Sequence, residues 1–329
     1  MYIDAFRGLA IILIVASHIL AEDPTSTFYR ILEAIFLNST AFFVFISGFL
    51  FQYLAYKYNI KDYWKRKLRT IIVPYLIISV PAIALRLYSH YVPFTVSEDL
   101  GFADWNAFQK IAYFYLTGAH LLPFWYIPVI VLFYAIASLL VYLDQDTRFY
   151  WLLPLFLIVS LLLPRDNINE INNIPRMFAH FFSVYVLGMF FCRYRTRLFR
   201  MIHRYRYTLT GTTLLIFVMS CLPGPYTAEI IFIQKVLLCF LITYWLYVNE
   251  ARIPTFLGTL AVVSFGIYFV HYYVILAARA GLIRTIGHEL PQSLGGWIVV
   301  FVGVLALSYG LVIGLQRVLG KNSRLLIGC

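Results

Sequence analysis

Long apolar runs, separated by short basic segments, constrain this chain more than any other feature. A helix needs roughly 17–25 predominantly apolar residues to cross a bilayer. Ten segments can be drawn on that basis, at 3–21, 29–56, 68–90, 123–143, 149–164, 177–193, 207–222, 227–248, 257–281 and 294–317. The fifth to seventh are short, and the second is long enough to tilt or to extend past the bilayer. With 62% hydrophobic and 12% charged residues, and a mean hydropathy of +0.80, a chain of 329 residues could not hide its apolar surface in one soluble core. The expected fold is all-α, a polytopic membrane helix bundle of about ten transmembrane helices. It is read as a single integral-membrane domain over 1–329, with no internal repeat and no separate soluble domain.

The formal net charge of +11 would suit nucleic acid only if the basic residues shared a soluble face. They sit instead between apolar runs, so no nucleic-acid partner is expected and the charge reads as a topology signal. With the amino terminus inside, 18 basic residues fall on the inner side, concentrated at 57–69, 193–206 and 317–324. Six fall outside (Arg30, Lys110, Arg165, Arg176, Arg279 and Arg284), and Arg86 and Lys235 lie within spans. Both termini are therefore expected to be cytoplasmic. Ile19, Leu20 and Ala21 lack a small-x-small pattern, so the first helix is expected to stay uncleaved. One sizeable outer loop remains, roughly 91–122, with Glu98, Asp99, Asp104, Trp105 and His120. It is too short for a catalytic domain, which leaves the chemistry to the bundle or its surface. The four cysteines, Cys192, Cys221, Cys239 and Cys329, show no metal-ligand spacing, and no metal site is expected.

Ionisable groups inside the bilayer are costly and mark function by default. Arg7 and His18 bracket a stretch that is otherwise apolar or small. Their eleven-residue spacing is close to three helical turns, which puts both on one face, roughly 16 Å apart along the axis. A cation at one boundary and an imidazole near the other suit a ligand with an anionic head and a long reactive arm. His271, on the ninth expected helix, lies at a depth not far from His18. The two could form an acid–base or substrate-positioning pair, or His271 could simply hydrogen-bond across helices. Arg66 and Arg69, three residues apart at the inner face, can grip phosphates bidentately, as can any basic cluster that meets anionic lipid. Ser47 and Gly48 form a small polar pair where helix backbones can approach closely. Lys235, near mid-membrane, needs a partner or a water-filled cavity, whereas Glu33 and Arg86 can snorkel or pair nearer the outer interface.

Ile3, Asp4, Ala5, Phe6, Arg7, Gly8, Leu9 and Ala10, followed by His18, resemble the opening of the membrane-bound acyltransferase-3 family, with its basic residue, ten intervening positions and histidine. The run Phe42 to Leu50 resembles that family's second-helix motif, and Arg66 to Arg69 with Pro74 and Tyr75 its RxxR segment. Phe124, Trp125 and Tyr126 resemble its aromatic tripeptide, and Ile267, Tyr268 and His271 its late tyrosine–histidine motif. The matches are in order and extend from residue 3 to residue 271.

The resemblance implies an integral-membrane O-acyltransferase of the inner (cytoplasmic) membrane, in contact with membrane lipids. No tightly bound cofactor is implied. The donor co-substrate would be acyl-CoA, most often acetyl-CoA, and the acceptor a hydroxyl of a cell-envelope glycan or lipid-linked sugar. Arg7, Arg66 and Arg69 would hold the phosphorylated head of CoA, and His18 would act as general base or carry the acyl group covalently. His271, Ser47, Trp125 and Tyr268 would line or order the site. Some members append an extracytoplasmic hydrolase-like domain that is not seen before Cys329, so acceptor specificity is expected in the bundle and outer loops. A transporter or flippase of a glycan precursor would also place charges and aromatic residues in spans. It would not need Arg7 and His18 on one helix face.

Overall fold

A computed structural model describes residues 2–20, 26–55, 57, 59–93, 96, 101–165, 171–287 and 293–329. Every regular element among them is helical. In chain order the α-helices are α1 (Tyr2–Ser17), α2 (Thr27–Phe36), α3 (Thr40–Leu54), α4 (Ile60–Lys67), α5 (Val73–Tyr88), α6 (Ala107–Thr117), α7 (Tyr126–Ala135) and α8 (Ala137–Asp144). They continue with α9 (Leu153–Leu162), α10 (Ile174–Arg193), α11 (Arg195–Ser220), α12 (Thr227–Val248), α13 (Thr255–Ile286), α14 (Leu294–Leu319) and α15 (Ser323–Leu326). The chain falls into two compact units, residues 1–53 with 184–318 and residues 54–183 with 319–329.

Six helical stretches among the described residues are long and apolar enough to cross a membrane: 27–54, 60–88, 174–193, 227–248, 255–285 and 294–326. A seventh is added if α6 and the helix over 122–135, bent by 72° at the break between them, count as one span. This is a multi-pass membrane protein. Four expected spans coincide with helices that fall short of that measure, for different reasons: 123–143 is divided into α7 and α8 at Ile136. α1 has 16 residues, the helix over 147–162 is also short, and α11 opens with a run of arginines.

In the first unit, close packing depends on positions with no side chain. A β-carbon on Gly8 would overlap the Leu257 carbonyl of α13. One on Gly48 of α3 would overlap the Tyr185 carbonyl of α10, and one on Gly188 of α10 would overlap the Phe45 carbonyl of α3. Helices in lipid gain no hydrophobic drive from meeting each other, so backbone approach of this kind supplies van der Waals contact that bulkier residues would forfeit. Apart from Asp4 and Arg7, α1 is apolar, with Ile3, Phe6, Ala10, Ile11 and Val15 fully enclosed.

The expected span 29–56 is broken at Leu37–Ser39, where Asn38 takes a positive φ of 58°. The break leaves helix-end carbonyls that need donors. Lys235 of α12 supplies them: its Nζ donates to Ala34 O at 2.8 Å, Ile35 O at 2.9 Å and Gln234 Oε1 at 3.0 Å. The buried amine therefore has protein partners, and a water-filled cavity is not required for it.

The second unit also handles breaks locally. Residues 68–72 form a π-helical turn between α4 and α5, just ahead of Pro74. Proline cannot donate to the carbonyl four residues back and crowds it, and the wider turn accommodates this. Tyr75 Oη donates to Tyr115 O at 2.9 Å, and Tyr115 Oη returns a bond to Leu76 O at 2.9 Å, joining α5 to α6.

Two stretches expected as loops differ in the structure. The segment 91–122, expected as an outer loop, contains α6 and a buried His120 ringed by Tyr75, Phe114, Tyr115 and Phe124, so His120 is a core residue; Glu98 and Asp99 lie outside the described residues. The basic stretch 193–206 is helical, with a kink at Tyr205 (φ −106°, ψ 17°). Its burial pattern explains why: Leu198, Phe199 and Ile202 point inward at helical spacing beneath the arginines.

Gly188→Ala should destabilise the protein by about 1–3 kcal/mol, the usual cost of forcing atoms into a closed contact. Gly303→Ala, in α14 with nothing within 4 Å of its β-carbon position, should be neutral or stabilising by up to about 1 kcal/mol. Thermal midpoints of the two variants in detergent check this, and equal midpoints would contradict the packing role of Gly188.

Candidate active site

α1 and α13 form an extensive helix pair in the first unit. Two contacts fix its sense: Gly8 against Leu257, and further along both chains His18 against His271. The helices therefore run parallel, and the closeness permitted at Gly8 carries through to the far end. There α1 stops at Ser17, and His18 sits in the turn that follows, half-buried. Its ring centroid is 5.4 Å from that of His271, with the planes inclined at 37°.

Local backbone bonding orients His271. Nδ1 lies 2.7 Å from Tyr268 O and 3.1 Å from Ile267 O. A carbonyl oxygen can only accept, so Nδ1 carries the hydrogen and Nε2 presents its lone pair in the neutral ring. That Nε2 is fully buried and has no hydrogen-bond partner among the described residues. Buried polar atoms are satisfied as a rule, and an exception on a ring 5.4 Å from a second imidazole is the kind of atom that receives a substrate proton or hydroxyl. Tyr272 packs its ring edge on His18 at 5.8 Å, and Tyr268 lies 6.0 Å from His271 and is also buried.

Of the residues singled out in the sequence, the structure thus brings together His18, His271 and Tyr268. Arg7 stands on α1, half-exposed, and its Nε is buried without a partner among the described residues; the helix expected to carry both Arg7 and His18 ends at Ser17, one residue short of His18. Ser47 is half-buried on α3 of the same unit, beside the tightly packed Gly48.

Arg66, Arg69 and Trp125 belong to the second unit. Both arginines are exposed, with Arg69 inside the π-helical turn. Lys67 between them turns the other way, its Nζ 4.5 Å from the Tyr134 ring centre and 5.4 Å from that of Tyr63. Trp125 is buried, stacked on Phe181 at 5.8 Å and covered by the Arg165 guanidinium at 4.6 Å.

Sequence reasoning missed Tyr272, although it directly follows His271, because a tyrosine in an aromatic-rich helix carries no signal of its own. It also missed the buried polar group of the second unit, in which His180 Nδ1 donates to Ser160 O at 3.0 Å and the Ser160 and Ser183 hydroxyls meet at 2.6 Å. Ser160 and His180 lie twenty residues apart on different helices, which no local pattern reveals. Among the described residues, no three His, Cys, Asp or Glu side chains are placed to hold a metal ion.

Neither a curated protein nor a solved structure matches the chain. A family model described as an acyltransferase domain does match, over residues 1–313. That span takes in both histidines, the α1–α13 pair and the arginine pair at the π-helical turn. Two imidazoles held in one apolar site on a multi-pass membrane chain are groups that acyl transfer to oxygen can use, and the protein belongs to the acyltransferase-3 family of membrane acyltransferases.

Proposed function

We propose that this protein transfers an acyl group, most often acetyl, from acyl-CoA to a hydroxyl of a cell-envelope glycan or lipid-linked sugar. It would act as a ten-helix protein of the inner membrane with both termini in the cytoplasm. The single observation that carries the reading is the His18–His271 pair, with its unpartnered Nε2 at the end of the parallel α1–α13 packing.

In this reading the acyl-CoA head is held by guanidinium groups, Arg7 on the first helix and Arg66 and Arg69 at the opening of α5. Its arm lies along α1 with the thioester at the histidines. His18, the half-buried member, takes the proton from the acceptor hydroxyl as its oxygen attacks the thioester carbonyl. The carbon–sulfur bond then breaks, and the departing thiolate takes the proton back from His18, leaving an ester and free CoA. His271, whose tautomer is fixed by the Tyr268 and Ile267 carbonyls, presents Nε2 as a hydrogen-bond acceptor beside His18 and orders the site. Trp125, Ser47 and Tyr268 shape the acceptor and donor path. The excess of basic residues in 57–69 and 193–206 supports an inner position for both segments.

His18→Gln keeps a hydrogen-bonding side chain but cannot exchange a proton. It should lower the transfer rate about 10²–10⁴-fold while donor binding persists. A larger loss, together with acyl label trapped on the wild-type protein, would favour an acyl-histidine route. Near-normal transfer by His18→Gln would remove it from the chemistry. The Arg66→Ala, Arg69→Ala double variant should weaken acyl-CoA binding by about 1.5–3 kcal/mol, as expected for a lost charge-assisted phosphate contact. Unchanged affinity in calorimetry would return the pair to a role as lipid anchor. For topology, a single cysteine near residue 200 in a cysteine-free background should resist an impermeant reagent in intact cells, and labelling there would reverse the orientation.

A further inference from the structure

The first unit contains a cavity of about 420 Å³ that the reading above leaves unused. It lies where the start of α1 meets α11 and α12, and its walls include Tyr2, Arg195, Arg200, His203, Tyr244 and Tyr247. Two kinds of surface meet in it. One is aromatic: Phe199 and Tyr247 stack at 4.0 Å with planes 5° apart, and the Tyr2 ring stands edge-on to both, at 5.9 Å and 5.6 Å. The other is cationic. Arg195, Arg200 and His203 lie on the exposed side of α11. His203 is anchored through Nδ1 to Tyr244 Oη at 2.7 Å, and Arg195 through Nη1 to Cys192 O at 3.1 Å. The neighbouring acid, Glu250, does not line the cavity, and its Oε1 accepts the Tyr2 backbone N–H at 3.0 Å.

Positive-inside placement accounts for arginines in this stretch, but not for two guanidinium groups and an imidazole around one aromatic-walled hollow. Guanidinium forks match phosphate oxygens, and aromatic walls accept a flat ring. The volume is within the usual range for small-molecule sites, roughly 300–1,000 Å³. We infer that this cavity binds the phosphorylated nucleoside end of a soluble ligand. If the acyl-CoA reading above holds, on which this further step rests, that end is the 3′-phosphoadenosine of the donor.

The test uses the full chain in phosphatidylcholine nanodiscs, titrated with adenosine 3′,5′-bisphosphate in a calorimeter. Saturable binding is expected, weakened roughly tenfold or more by Arg200→Ala and further by adding Arg195→Ala. Both side chains are exposed, and a thermal midpoint equal to wild type shows that the variants fold. Absence of saturable binding, or equal affinity in wild type and the Arg195→Ala, Arg200→Ala variant, overturns the inference. So does loss of nucleotide binding when phosphatidic acid is added to the nanodiscs, which would assign the cavity to a lipid headgroup. Competition by acetyl-CoA separates the two layers. Nucleotide binding that acetyl-CoA does not displace leaves the phosphate site standing and removes acetyl-CoA as its occupant, whereas inactive His18→Gln with no nucleotide binding leaves the transfer mechanism standing and removes the site.

Discussion

Gly8 allows the backbone of α1 to lie directly against the Leu257 carbonyl of α13, and the candidate site depends on that approach. Two helices held this close at one end and running parallel carry His18 and His271 to each other at the far end. Any side chain at position 8 would wedge the pair apart and move both imidazoles. The same device recurs between α3 and α10, where Gly48 and Gly188 each sit on the other helix's backbone. In a bilayer such contacts replace the hydrophobic burial that sets helix spacing in soluble proteins.

A second constraint, that no backbone polar group can go unsatisfied away from water, explains the irregular places. The broken span between α2 and α3 is tolerated because Lys235 reaches two of the orphaned carbonyls. The π-helical turn before Pro74 widens the helix where proline removes a donor. It also gives Arg69 a backbone setting different from that of Arg66, while Lys67 is drawn to the tyrosines. A lysine in the membrane and a pair of arginines beside a proline look alike as sequence signals of function. In the structure the lysine caps a helix break, and the arginines stand exposed.

The histidines show how a fixed scaffold prepares a proton-transfer group. The Tyr268 and Ile267 carbonyls hold the His271 hydrogen on Nδ1, which leaves Nε2 as an acceptor in a dry environment. His18, at the end of its helix, is less enclosed. One ring is locked and the other has access, a division suited to positioning by one and proton transfer by the other.

Much of this was legible in the sequence. Apolar run length determined an all-helical membrane protein, because only helices of that length satisfy their own backbone in lipid. The order of the motifs from Ile3 to His271 determined the family, whereas the single helix face expected from the spacing of Arg7 and His18 stops short, because α1 ends at Ser17. Depth alone put His271 beside His18 as a candidate, since helix rise converts sequence position into height. Which helices touch was not legible, because contact between α1 and α13 joins residues some 250 positions apart. The same holds for the partners of Lys235, for Tyr272 against His18, and for the helical form of 193–206. Those were decided by tertiary packing, through glycines that let backbones meet and carbonyls that had to find donors.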